Sequence, residues 1–170
     1  MSSENRTSFL GTNRGSLICA GVLLGADIVV YGSFLFSMFV GPIWLLVAIA
    51  KAIMYRGDWR VSVTRVVIPL VTLALVVGNA SLQSRMARAN AERIISACTQ
   101  YRTANGVYPK TMDVLVPKYL DSVPRAKYAL VLGEFSYSEF DGQHRLMWVS
   151  TPPFGRPYYN FEQARWGYLD

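Results

Sequence analysis

Charge is scarce in this sequence, histidine nearly absent, and cysteine limited to two positions. Charged residues make up 16% of the 170 positions, where a soluble domain carries about 25%. The deficit is confined to one half. Residues 16–80 hold long runs almost free of charge, and 81–170 have an ordinary mixture. This excludes a single soluble domain and points to a membrane part followed by one domain of about 90 residues, large enough for one modest core. Cys19 lies in or near the first apolar run and Cys98 on a helix beyond the last. They cannot reach each other, so both read as free, buried small hydrophobes.

The shortage of ligating side chains excludes most chemistry. A metal needs three or four clustered ligands, and none are grouped here. No glycine-rich phosphate loop occurs. The only histidine, His144, has no cysteine or serine partner indicated and reads as a surface turn residue of a hairpin rather than a base. Glu134, Glu139 and Asp141 fall near the same hairpin end and read as solvated. The expectation is a non-enzyme with no cofactor, no metal and no catalytic residue. Nor is the net charge of +6 a nucleic-acid footprint. Lys51, Arg56, Arg60 and Arg65 sit between two apolar runs, where membrane topology places basic residues.

What the sequence has in abundance is apolar length. The run over 17–55 would make a helix of roughly 60 Å, about twice the hydrocarbon thickness of a bilayer. One span cannot use it, but a tight hairpin can, turning near Gly32-Ser33 or near Gly41-Pro42, where proline disfavours helix in the residue before it. A further span covers about 63–80, with Pro69 as a kink. The reading is three spans, about 16–32, 34–55 and 63–80, after a cytoplasmic tail over 1–15. The alternative is two spans, with 17–25 lying along the interface. Arg6 and Arg14 in the tail and the four basic residues of 51–65 obey the positive-inside rule if both lie in the cytoplasm. Arg85, Arg88 and Arg93 pull the other way. Tyr55 and Trp59 suit the cytoplasmic interface. Apolarity continues past Asp27, which excludes a cleaved signal peptide, and Cys19 lacks the small preceding residue of a lipoprotein signal. The expected location is a bacterial inner membrane, multi-pass, with 81–170 in the periplasm.

From Ser81 the chain continues as helix. Ala87, Ala91, Ile94, Cys98 and Tyr101, joined by Ile95, make one apolar stripe. Asn105-Gly106 is a left-handed stop. Thr111 can cap a short helix through Leu115, ended by Pro117. Two apolar segments follow, "KYALVL" and "FSYSEFDGQHRLMWVS", the second a hairpin turning at Asp141-Gly142. The tail "PYYNFEQARWGYLD" supplies one or two short strands. The fold class is thus membrane α-helical plus a small α+β domain.

A membrane helix flowing into an amphipathic one that ends "Y-x-x-x-N-G-x-Y-P", then "L-V-P-K-Y-L-x-x-V-P", resembles type IV pilins, and most of all the major pseudopilins of type II secretion. The match spans about 66–149, its specific part being 101–124. It implies a long spine helix packed on a small antiparallel sheet in the periplasm. The chain departs from the family where polymerisation is concerned. No glycine-ended leader site precedes the last apolar run, no glutamate lies inside it, and two more spans stand upstream. The acidic calcium loop of the major pseudopilins has no counterpart. The expectation is a pilin-like module that does not enter filaments.

Two places are candidates for partner binding. A charge inside a span is a functional hypothesis by default. Asp27 is weighed as reaching water at the outer end of a short first span, against a buried polar contact with a partner helix. Phe154, Tyr158, Tyr159, Phe161, Trp166 and Tyr168 crowd the tail with Pro152, Pro153 and Pro157. Most read as core, but so small a domain can hardly bury all six, and Tyr and Trp beside Arg156 and Arg165 are what interfaces favour. The partner-binding set is therefore Tyr158, Tyr159, Phe161, Arg165, Trp166 and Asp27. Expected partners are the lipid bilayer and a protein, either a toxin neutralised by an immunity protein or, as the alternative, a component of a secretion or pilus assembly.

Overall fold

The computed structural model describes residues 3–54, 59–151 and 155–169, with side chains from Asn13 onward. Tyr55, Arg56, Asp58, Pro152, Pro153 and Phe154 lie outside the described residues. The chain divides into two compact units, Met1–Ala80 and Ser81–Asp170.

In the first unit, α1 (Ser3–Leu24) runs on as a π-helical stretch, Gly25–Tyr31, and α2 follows at Leu35–Met54. The helix α1 takes in the segment 3–15. Of the two turn positions open in the sequence, the chain uses Gly32-Ser33. Gly32 takes φ 57°, the left-handed conformation that glycine adopts without steric cost. Pro42 lies inside α2 instead. The third helix, α3 (Trp59–Asn105), begins in this unit and carries Pro69 within it. Among the described residues three helices are long and apolar enough to cross a membrane, Asn13–Tyr31, Leu35–Met54 and the apolar part of Trp59–Asn105. Ile18, Val22, Ile43, Leu46 and Leu75 turn outward from them. At Gly41 the missing side chain lets α2 approach Leu73 of α3, whose Cδ2 would stand 2.5 Å from a Cβ. Small residues serve membrane helices in this way.

The second unit is built on the later part of α3. Its stripe of Ala87, Ala91, Ile94 and Cys98 is fully buried, and the small alanines allow a layer of large aromatics to come close. Burial pushes the Cys98 thiol up to about 12. Gly106, φ 80°, ends the helix after Asn105. A single 3-10 turn, Met112–Leu115, follows, and Thr111 precedes it without a side-chain capping bond.

Four antiparallel strands, β1 (Ser136–Phe140), β2 (Gln143–Met147), β3 (Arg156–Asn160) and β4 (Arg165–Leu169), pair in the order β1-β2-β3-β4. Asp141 (φ 53°) and Gly142 (φ 68°) are both left-handed, as a two-residue turn between twisted strands requires. The segment "KYALVL" is an irregular loop, not a strand. The Lys127 N–H donates to the Gly133 carbonyl at 3.1 Å and closes it. A Cβ at Gly133 would lie 2.7–2.9 Å from the Arg125 guanidinium and two carbonyl oxygens, so the closure depends on glycine.

Candidate functional site

Side chains alternate across a strand, and the register fixes which face each takes. Tyr137, Leu146, Tyr159 and Trp166 stand opposite one another across the four strands. Leu146 is fully buried in the core, so this row faces inward. The neighbouring rows, Ser136-Met147-Tyr158-Gly167 and Ser138-Arg145-Asn160-Arg165, face outward.

The inner face is an aromatic network. Trp166 packs on Tyr159 at 5.0 Å and Trp148 at 5.8 Å. Tyr159 meets Phe161 at 5.2 Å, and Phe135 meets Trp148 edge-on at 5.6 Å. The Arg88 guanidinium of α3 lies 3.4 Å from the centre of the Trp166 ring, a cation–π contact that closes the edge of the network.

The outer face is open. Ser136, Ser138, Phe140, Arg156 and Arg165 are exposed along it. Tyr158 lies across Gly167, where any Cβ would collide with its ring. Arg145 stands 5.6 Å over the same ring. Gln143 accepts from Asn160 at 2.9 Å and from Arg145 at 3.2 Å, fixing both side chains. The result is one rigid tyrosine flanked by Met147, Arg145 and Arg165. Beyond Met147 and Arg156 the surface runs into a groove of about 630 Å³ walled by Leu130, Val131, Leu132 and Trp148.

The residues singled out in the sequence are thus divided. Tyr158 and Arg165 belong to the open face. Tyr159 and Trp166 belong to the inner network, and Phe161, 3% exposed, is core. Phe154 falls outside the described residues. Arg145 and Met147 join Tyr158 on that face: the Asp141-Gly142 turn sets them on one side of β2, and the β2–β3 register, which leaves no local signal in the sequence, brings Tyr158 to the same side.

His144 is not a free turn residue. Its ring nitrogen Nδ1 lies 2.8 Å from Glu162 Oε1, and its backbone N–H donates to Glu162 Oε2, also at 2.8 Å. Nε2 lies 3.7 Å from Glu139. Tyr108 and Tyr137 flank the ring. Burial alone would raise the Glu162 pKa, but side-chain and backbone hydrogen bonds from His144 outweigh it and hold the carboxyl below its usual value. The pair pins the β3–β4 turn to β2. Among the described residues no group of three or more His, Cys, Asp or Glu could hold a metal ion.

Asp27 does not reach water. It is fully buried, and its carboxylate accepts the backbone N–H groups of Phe36 (2.8 Å) and Ser37 (2.7 Å). These are orphan donors of the first turn of α2, and a carboxylate also complements the positive end of the helix dipole. The charge works as a remote cap that locks the α1–α2 hairpin. No protein-family model, curated protein or solved structure matches the chain.

Proposed function

We propose that this chain is a non-catalytic binding protein held in a bacterial inner membrane by three spans, whose periplasmic domain captures a protein partner on the outer face of its sheet. The observation that carries this reading is the cluster on the two outward rows, half-buried Tyr158, Met147 and Arg145 beside exposed Arg165, with Tyr158 lying across Gly167. Tyr, Arg and Met are the residue types that interfaces concentrate, and a pre-ordered aromatic loses little freedom on binding. Two arginines beside it favour an acidic partner surface. The orientation is supported by Lys51 and Arg65, which line one cavity of about 320 Å³ together with Gly15 and Ser16, gathering positive charge at one end of the three helices.

The finer reading is an immunity protein that neutralises a toxin acting in the periplasm or inner membrane. The order of a long helix followed by a four-stranded antiparallel sheet supports the pilin-like reading of 81–170. It favours a second possibility, an accessory subunit of a type II secretion or type IV pilus assembly. A photo-crosslinking amino acid placed at Tyr158 of the full chain, in growing cells, tests the proposal. The expected product is an adduct with one protein, lost when Arg145 and Arg165 are both changed to Glu. The adduct's identity, toxin or assembly component, separates the two readings. Labelling of lipid or of a second copy alone would refute the binding face.

A further inference from the structure

The cavity of about 320 Å³ beside Lys51 and Arg65 is built by all three helices of the first unit. Trp44, Val47, Ala48 and Lys51 line it at i, i+3, i+4 and i+7, one face of α2. Ser16 comes from α1 and Arg65 from α3. Lys51 stands three residues before the end of α2, and Arg65 six residues after the start of α3. Both cations therefore lie within ~9 Å of a helix end, and Trp44 lies ~10.5 Å deeper along α2 than Lys51. The wall grades from basic near the helix ends to aromatic and apolar further in. Among the described residues no carboxylate lines the cavity. The single carboxylate in 13–54 and 59–80 is Asp27. It is held by the Phe36 and Ser37 N–H groups in the first turn of α2, at the opposite end from Lys51.

We infer that this cavity binds one anionic phospholipid, its phosphate between Lys51 and Arg65 beside the Ser16 hydroxyl, and the start of an acyl chain against Trp44 and Val47. Two cations on apolar walls repel each other and are poorly hydrated, so an anion between them relieves both. Phosphate oxygens accept from an ammonium and a guanidinium alike. A small anion would leave the apolar wall uncovered, whereas a lipid uses both parts. Basic pockets between membrane helices take headgroups in this way. A zwitterionic lipid brings its own cation to the two already present and is disfavoured. The bound lipid would tie the three helices together at this end, as Asp27 joins α1 to α2 at the other. The inference rests on the three spans and not on which side of the bilayer this end faces.

Native mass spectrometry of the full chain released from detergent tests the site, with phosphatidylglycerol, phosphatidylcholine and glycerol phosphate as probes. The first phosphatidylglycerol should bind roughly tenfold or more tighter than phosphatidylcholine, and glycerol phosphate should not bind at the same concentrations. Lys51→Gln and Arg65→Gln together should remove that preference. Arg60→Gln, which changes a cation near the start of α3 outside the cavity lining, should keep it. Gly15→Leu fills the cavity at constant charge, since a Cβ at Gly15 meets nothing within 4 Å, and it should also weaken lipid binding. Each variant is checked by its melting temperature, and if the charge variant does not fold, Gly15→Leu decides. A preference that survives in either cavity variant would overturn the site. An equal loss in Arg60→Gln would mean diffuse attraction and overturn it too. Glycerol phosphate binding as tightly as phosphatidylglycerol would overturn the lipid assignment. Recovery of the chain in the soluble fraction without detergent would instead overturn the three spans.

Discussion

The buried amine of Lys127 makes the stability of the second unit depend on alkaline pH. The residue is 2% exposed, and its Nζ donates to the Ser150 carbonyl. Burial lowers its pKa from 10.5 to about 8. The unfolded chain keeps this proton up to about pH 10.5, whereas the folded one releases it near 8. Between those values the unfolded state binds more protons, so stability rises with pH. The charged form costs up to roughly 3 kcal/mol below pH 8, a cost that disappears as pH approaches the unfolded value. Cys98 acts oppositely. Its folded pKa is raised to about 12 from 9.0, so its contribution is lost as pH rises above 9. Tyr137, raised first by burial and then by the charges of Cys98 and Glu162, follows the same sign.

Lys127→Met keeps the stem, removes the titration and leaves Cys98 and Tyr137 in place, so the difference between the two proteins isolates the lysine. Urea unfolding of the full chain in detergent is the assay, followed by tryptophan fluorescence with Trp44 and Trp59 changed to Phe in both proteins so that Trp148 and Trp166 report. Wild type should gain ~2–3 kcal/mol on the variant between pH 7 and 10. The offset at pH 7 mixes relief of the buried charge with loss of the bond to Ser150, so the slope is the diagnostic quantity. A difference that stays flat over that range would refute the buried-amine argument.

Two other perturbations have a definite sign. Asp27→Asn leaves one of the Phe36 and Ser37 N–H groups facing an amide N–H, and a buried orphan donor costs ~1–3 kcal/mol; the melting temperature of the full chain in detergent should fall, and an unchanged value would contradict the capping role. Gly133→Ala drives a methyl against the Lys127 and Ala129 carbonyls, which backbone closure prevents from yielding; the urea midpoint should drop by the equivalent of ~1–3 kcal/mol, and a neutral result would mean that the loop can reopen.

Periodicity and turn chemistry made much of this architecture legible. The Ala87-Ala91-Ile94-Cys98 stripe, the stop at Gly106 and the Asp141-Gly142 turn are local signals, and each is realised in the structure. The break at Gly32 was one of two positions that sequence alone left equal, because glycine and proline both mark turns, yet a membrane helix can carry a proline within it, as α2 carries Pro42. Longer-range events were not legible. Asp27 finds its donors nine and ten residues away, and Gln83 finds Tyr128 forty-five residues on. Neither pairing leaves a periodic trace. "KYALVL" has the composition of a strand, yet the Gln83 clamp and the Lys127–Gly133 closure fold it into a loop. In the tail, composition identified an aromatic cluster but not its division between faces. That division follows from the strand register, which places Tyr158 outward and Tyr159 and Trp166 inward.

The central claim is that partner capture belongs to the outer sheet face and folding to the inner one. The most direct measurement is the affinity of the purified full chain for the protein crosslinked at Tyr158, compared with Tyr158→Ala and Trp166→Ala, each checked for folding by urea midpoint. Tyr158→Ala should lower affinity by roughly thirtyfold or more, as expected for a hot-spot aromatic worth ~2 kcal/mol, while its midpoint changes little. Trp166→Ala should instead destabilise the unit through lost contact with Tyr159, Trp148 and Arg88. Undiminished binding by a folded Tyr158→Ala protein would contradict the account.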